Sequence, residues 1–146
     1  MKLKPVKFNP ENKEFDLNSD FSKMVYDKLQ SLYERVGYQE PWVGYFATIN
    51  NQIVGSCGFK NLPGNDRKVE IAYVTMPEFE GKGYASEMCK QLIQISLNKD
   101  SSVTITAQTL QTNVPSHKIL IKNHFSQTGT IIDDEYGEIM EWTYSK

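Results

Sequence analysis

The chain has little cysteine and histidine, with two of each in 146 residues. Cys57 and Cys89 fall on a predicted strand and on an apolar helix face. They read as buried free thiols in a reducing cytoplasm, not as a disulfide framework. No cluster of Cys, His and carboxylates has metal-ligand spacing, so no metal is expected. Long apolar runs are missing too. None approaches the roughly 18–20 residues of a membrane span. The lysines at 2 and 4 lead into no apolar stretch, so no signal peptide is expected. Charge of one sign is also scarce. The formal net charge is −2, which gives nucleic acid or an anionic membrane no bulk attraction. The expected setting is cytoplasmic, without nucleic-acid or membrane partners.

What remains is 39% hydrophobic and 23% charged, the balance of a soluble globular protein. This length suits a single domain spanning 1–146 with one sizeable core. The periodicities predict a strand over 2–8 ended by Asn9-Pro10, then a polar loop. A helix over 20–36 follows, capped by Ser19 or Asn18 and stopped by Gly37. A hairpin comes next, with strands over 42–49 and 52–59 about an Asn50-Asn51 turn. A strand over 69–76 and a helix from Ala85 come after it. A strand over 103–107, a helix capped by Asn113, and strands over 125–132 and 138–144 close the chain. The order is β-α-β-β-β-α-β-α-β-β, an α/β class with a mixed sheet and helices on both faces.

The stretch from Val69 to Met88 is the most informative. A β-branched, aromatic strand stops at Pro77 and runs through Gly81-Lys82-Gly83 into a helix. Such a turn gathers unpaired N–H groups at the positive end of a helix dipole, which favours an anion such as phosphate. Gly81 and Gly83 alone do not specify the anion, and neither a P-loop nor a dinucleotide fingerprint is present. By strand alternation Glu70, Ala72, Val74 and Met76 share a face. A lone carboxylate in a strand read as buried needs a partner, with Arg67 or Lys68 nearest in sequence.

Glu78-Phe79-Glu80-Gly81-Lys82-Gly83 occupies the window of a Gln/Arg-x-x-Gly-x-Gly/Ala pyrophosphate motif, and Tyr84-Ala85-Ser86-Glu87-Met88 continues it into a helix. Downstream, Asn113, Ser116, Ile119, Leu120, Lys122 and Phe125 stand at the spacings of Asn-x-x-Ser-x-x-Val/Leu-Leu-x-Lys-x-Gly-Phe. With the order of elements, these residues resemble the GNAT superfamily of N-acetyltransferases, and within it the ribosomal-protein-alanine acetyltransferase-like branch. The resemblance covers roughly residues 42–144. Two positions depart from it: Glu78 replaces Gln or Arg and should face solvent, and His124 replaces a glycine, altering the strand entry but not the cofactor site.

The resemblance implies acetyl-CoA as co-substrate and a primary amine as acceptor, on a small molecule or a protein N-terminus. Transfer would be by direct attack, in a monomer or a homodimer. It assigns the pyrophosphate to Gly81, Lys82, Gly83, Tyr84, Ala85 and Ser86. A bulge near the end of the organising strand would free backbone groups of Val74 and Met76 for the pantetheine arm, with the N–H of Val74 or Thr75 facing the thioester oxygen. Asn113 and Ser116 would contact the arm or its phosphates, or simply cap and open their helix. Glu70 would be the base. The tyrosine that many relatives carry seven residues after the motif Asn is Leu120 here, which leaves Tyr73, Tyr84 or Tyr45 as the acid, or water as the source of the proton. Tyr38, Glu40, Trp42 and Tyr45, near the loop after the first helix, are expected at the acceptor, although a packed core explains Trp42 more simply. The same scaffold could instead serve as a non-catalytic acyl-CoA-binding or sensory module.

Overall fold

The computed structural model describes residues 1–9, 15 and 17–146. Pro10 of the expected Asn9-Pro10 stop and most of the polar loop after it lie outside the described residues. The elements are β1 (Lys2–Pro5), α1 (Asp20–Val36), β2 (Gly44–Ile49), β3 (Gln52–Phe59), β4 (Lys68–Thr75), α2 (Tyr84–Lys99), β5 (Thr104–Leu110), α3 (Val114–Lys122), β6 (Phe125–Asp133) and β7 (Gly137–Tyr144). A short 3₁₀ turn, Pro77–Phe79, separates β4 from α2. The strands form one mixed sheet in the order β1-β2-β3-β4-β5-β7-β6, in which only β4 and β5 run parallel. This is the expected mixed α/β architecture.

Local chemistry explains most boundaries. Ser19 Oγ accepts the Ser22 N–H and caps α1, and Gly37, at φ 95°, ends it by donating its N–H to Tyr33 C=O. Asn50 and Asn51 both take positive φ in the β2–β3 turn. Three strands differ from expectation by more than one residue at an end. β1 is shorter, because Phe8 leaves the sheet to pack on the rings of Tyr33 and Tyr38. β2 starts late, because Trp42 N–H and Val43 N–H donate to Gln39 C=O and Pro41 C=O in a turn after the cis Glu40-Pro41 bond. β5 runs on to Leu110 through its pairing with β7.

Two glycines establish which helix covers which face. A Cβ on Gly55 would stand 3.0 Å from Met88 Cε of α2, and one on Gly44 would collide with Leu29 Cδ2 of α1. Gly55 pairs with Thr75, whereas Gly44 pairs with Gly58 and Gly58 with Ala72. Val69, Ile71, Tyr73 and Thr75 therefore face α2, and Glu70, Ala72 and Val74 face the side of α1. The core lies under α2, where Met88, Cys89 and Leu92 meet Val69, Ile71 and Ile105. The α1 side of β4 is thinly covered, and Val74 is 49% exposed. The strand read as buried is thus buried on one face only.

Candidate active site

β4 and β5 pair over four registers, from Lys68↔Thr104 to Ile71↔Ala107, and then diverge although both strands continue. Sheet neighbours that part in this way leave backbone groups without ladder partners. The phase of the ladder says which ones. Lys60 N–H donates to Glu70 C=O at 2.8 Å, and Met76 N–H donates to Val54 C=O at 2.9 Å. On the other edge, Thr104 N–H donates to Arg67 C=O at 2.8 Å. Residues 70, 72, 74 and 76 therefore direct their N–H and C=O groups at β3, and 71, 73 and 75 direct theirs at β5.

Two expectations are corrected here. The backbone groups of Val74 and Met76 are committed to β3, and the groups that open onto the gap belong to Tyr73 and Thr75. No bulge is needed to make the gap either: β4 stays in register with β3 from Ile71 to Thr75. The irregularity in this part of the sheet lies between Ala47 and Thr48, opposite β3.

Beyond β4, Gly81 and Gly83 adopt φ 81° and 82°, and no atom lies within 4 Å of a Cβ built on either. Gly83 caps α2 without a side-chain bond. Glu87 N–H is the first to bond back, to Gly83 C=O at 3.1 Å. The N–H groups of Gly81, Lys82, Gly83, Tyr84, Ala85 and Ser86 have no acceptor among the described residues. Positive φ, open space and the start of a 16-residue helix converge on one anion-attracting spot. Lys82 and Glu78 are both exposed.

A groove of about 490 Å³ leads from Gly83 and Ser86 along α2, with Lys122, Asn123, His124 and Tyr144 opposite. Asn123 Nδ2 donates to Ile119 C=O at 2.9 Å and to Ser86 Oγ at 3.1 Å. The carbonyl contact fixes the amide orientation, so the Ser86 oxygen accepts and its own proton is left to point elsewhere. His124, held at φ 70°, lines this groove, so the departure from glycine touches the groove that opens from Gly83 as well as the entry to β6.

Across the gap, the Tyr73 hydroxyl lies 3.1 Å from Ser116 Oγ in the first turn of α3. Burial pushes the Tyr73 phenol up to about 12, partly offset by the Ser116 bond. Asn113 Oδ1 accepts the Ser116 N–H at 3.3 Å, which makes Asn113 the cap of α3 and leaves its Nδ2 unengaged. Leu120 is fully buried. On the other face of β4, Glu70 Oε2 is 3.4 Å from Lys60 Nζ. Its cationic partner is Lys60, neither Arg67 nor Lys68; Arg67 instead engages Asp100. Lys60 lies ten positions back in sequence and comes alongside only because β3 and β4 are antiparallel.

The four residues expected at the acceptor are not gathered at the gap. Trp42 packs edge-on against Phe59 in the core, and Tyr45 donates its buried hydroxyl to Pro41 C=O at 2.7 Å. Tyr38 and Glu40 bond to each other at 2.9 Å. The reason is topological. α1 begins beside Thr48 and Asn51 and ends near Val6 and Gly44, so residues 37–43 lie toward the end of the sheet where β4 begins. At the end where β4 exits, a groove of about 520 Å³ is lined instead by Phe15, Ser19, Met76, Glu78 and Phe79. Alternation and strand polarity contain this information, but only once the pairing of β2 with β3 and β4 is known.

A parallel strand pair that opens beside an uncapped helix start forms a cleft flanked by an anion-attracting turn. The profile of the family described as acetyltransferase (GNAT) domain matches residues 7–126, and the chain belongs to that family. It is an acetyl-CoA-dependent N-acetyltransferase. Among curated relatives, the uncharacterized N-acetyltransferase YjdG of Bacillus subtilis (strain 168) is 29% identical over 129 residues, 87% of this chain and 73% of that protein. The uncharacterized N-acetyltransferase p20 of Bacillus licheniformis is 31% identical over 85 residues, 58% of this chain and 48% of its own. Solved structures share the fold. The RimL ribosomal L7/L12 alpha-N-protein acetyltransferase in complex with coenzyme A superposes with TM-score 0.68 at 18% identity, covering 84% of this chain and 70% of that one. A mutant of the spermidine N-acetyltransferase SpeG from Vibrio cholerae gives 0.67 at 15% identity, with 82% and 74% covered. Within the described residues, no helix is long and apolar enough to cross a membrane, and no group of His, Cys, Asp and Glu could hold a metal ion.

Proposed function

We propose that the chain transfers the acetyl group of acetyl-CoA directly to a primary amine, on a small molecule or a protein N-terminus. The observation that carries this reading is the gap above Ile71 and Ala107, next to the unsatisfied N–H groups at the start of α2.

The pyrophosphate sits on the N–H groups from Gly81 to Ser86, aided by the Ser86 hydroxyl proton and the Lys82 charge. The pantetheine arm completes β4 as an added strand, pairing with Tyr73 and Thr75. The thioester oxygen takes the N–H of Thr75, and Asn113 Nδ2 reaches the arm. Glu70, through a water, removes the amine proton. The nitrogen attacks the carbonyl, the C–N bond forms, and the C–S bond breaks to release the thiolate.

Tyr73 faces that sulfur. Burial raises its phenol to about 12, above an ordinary thiol, which disfavours handing its proton to a free thiolate. Tyr73 therefore acts as a hydrogen-bond donor that stabilises the leaving sulfur, and the final proton comes from solvent. Glu70→Gln tests the scheme. It should lower turnover about 100-fold with acetyl-CoA affinity nearly intact; unchanged turnover at saturating substrates removes Glu70 as the base.

A further inference from the structure

The two edges of the sheet are built differently. β1, at one edge, is four residues long, carries Lys2 and Lys4 and ends on Pro5. Short length, charge and proline are the usual means of keeping a sheet edge from pairing with another chain. β6, at the other edge, runs for nine residues and has no charged side chain and no proline from Phe125 to Ile132. Its one guard is a register shift between Gln127 and Gly129, and from Gly129 to Asp133 the pairing with β7 is regular. Among the described residues, β6 has no strand on its outer side, and no loop or turn backbone bonds to residues 126–132. Open N–H and C=O groups along such an edge are a template for one more strand.

The side chains select the strand that fits. Every residue from Ser126 to Ile132 except Gly129 is exposed, Ile132 at 72%. Ile131 stands in register with Ile139, and Ile139 with Leu110. An apolar row therefore crosses β5, β7 and β6 on the face away from α2 and stops at the open edge. A second copy of the same edge continues that row with the same three residues. Charge sets the direction. β6 ends in the acidic turn Asp133-Asp134-Glu135 and begins just after α3, which carries Lys118 and Lys122. Antiparallel pairing about a two-fold axis keeps the two acidic turns at opposite ends and directs each toward the lysine-bearing end of the other copy. Parallel pairing would bring the acidic turns together.

We infer that β6 is the contact surface of a homodimer, in which the β6 strands of two copies pair antiparallel and join the two sheets into one. The same patch serves both copies, so a single substitution acts on both halves of the contact. The contact does not depend on the transfer scheme.

Sedimentation velocity on the purified chain at micromolar concentration should give twice the mass of one chain. Ile131→Lys, on one face of β6, and Thr130→Lys, on the other, should each weaken the dimer at least about 10-fold, since each sets two like charges near the axis. Both side chains are exposed, so circular dichroism should show an unchanged fold. A scan from Ser126→Cys to Ile132→Cys, one position at a time under mild oxidation, locates the axis. A residue bridges to its own copy only where the two Cα atoms lie within about 7 Å, so crosslinking should peak at one position or two adjacent ones. Cys57 and Cys89 are buried and should add no crosslink of their own. A chain that is monomeric at that concentration overturns the inference and leaves the open edge to a strand of another protein. A dimer that survives both lysine substitutions overturns it as well, and so does one that crosslinks at no position of β6.

Discussion

The hydroxyls of Tyr73 and Ser116, 43 residues apart, stand 3.1 Å from each other across the gap between β4 and α3. With Asn113 Oδ1 on the Ser116 N–H, they form a short chain that ties the end of the α3 cap to the face of β4 beneath α2. Leu120, at the position where the family resemblance implies a tyrosine, is packed into the core, and in the proposed scheme Tyr73 supplies the phenol from the strand.

Tyr73→Phe should therefore lower kcat by about 10-fold, the value of one hydrogen bond to a developing charge near 1.5 kcal/mol, with little change in acetyl-CoA affinity. Ser116→Ala should do less, and Ser116→Thr should recover most of the loss. Steady-state kinetics separate these outcomes. A matching fall in acetyl-CoA binding would mark the pair as merely structural.

Gly83→Ala places a Cβ in open space but on a left-handed backbone. The strain should cost about 1–2 kcal/mol of stability, read as a lower melting temperature. Acetyl-CoA binding should weaken by about 10-fold, because relaxing φ turns the N–H groups away from the pyrophosphate. Calorimetric titration checks the second effect independently of the first.

Alkaline stability follows from buried acids. Burial raises Cys89 from 9.0 to about 12, and Tyr33 and Tyr73 from 10.0 to about 12; Cys57 and Tyr45 are raised as well. A group with a raised folded-state value contributes stability fully below its unfolded value and loses it as pH climbs toward the folded one. The melting temperature should thus hold steady to about pH 8.5 and fall from about pH 9 onward, first through the cysteines and then through the tyrosines. Replacing Cys89 with Ala should delay the onset. A melting temperature that is flat to pH 11 would contradict these burials.

Much of the fold was legible from local chemistry. Ser19, Gly37, the Asn50-Asn51 turn, the glycine turn and the Asn113 cap each mark a boundary by a preference of their own, and α1 and β3 fall where the periodicity puts them. Around the proposed site, only the local geometry was legible, as in the positive-φ turn at Gly81 and Gly83 and the helix start after it. Which β4 backbone groups are free depends on the ladder phase, which is fixed by bonds to Thr104 of β5 and to Lys60 and Val54 on the β3 side. The reading of Val74 and Met76 missed by one residue because side-chain alternation says nothing about which neighbour an N–H meets. Lys60 as the partner of Glu70, and Tyr45 as core, follow from long-range pairing that one sequence does not display, whereas Trp42 packs in the core as its simpler reading had it.

Release of the CoA thiol from acetyl-CoA, followed over a panel of amines and N-terminal peptides together with the mass of the product, tests the central claim most directly. The account predicts thiol release that depends on the amine, with one acetyl group found on its nitrogen. Tight CoA binding with no release on any acceptor would contradict it, and would instead favour a scaffold that binds acyl-CoA without turning it over.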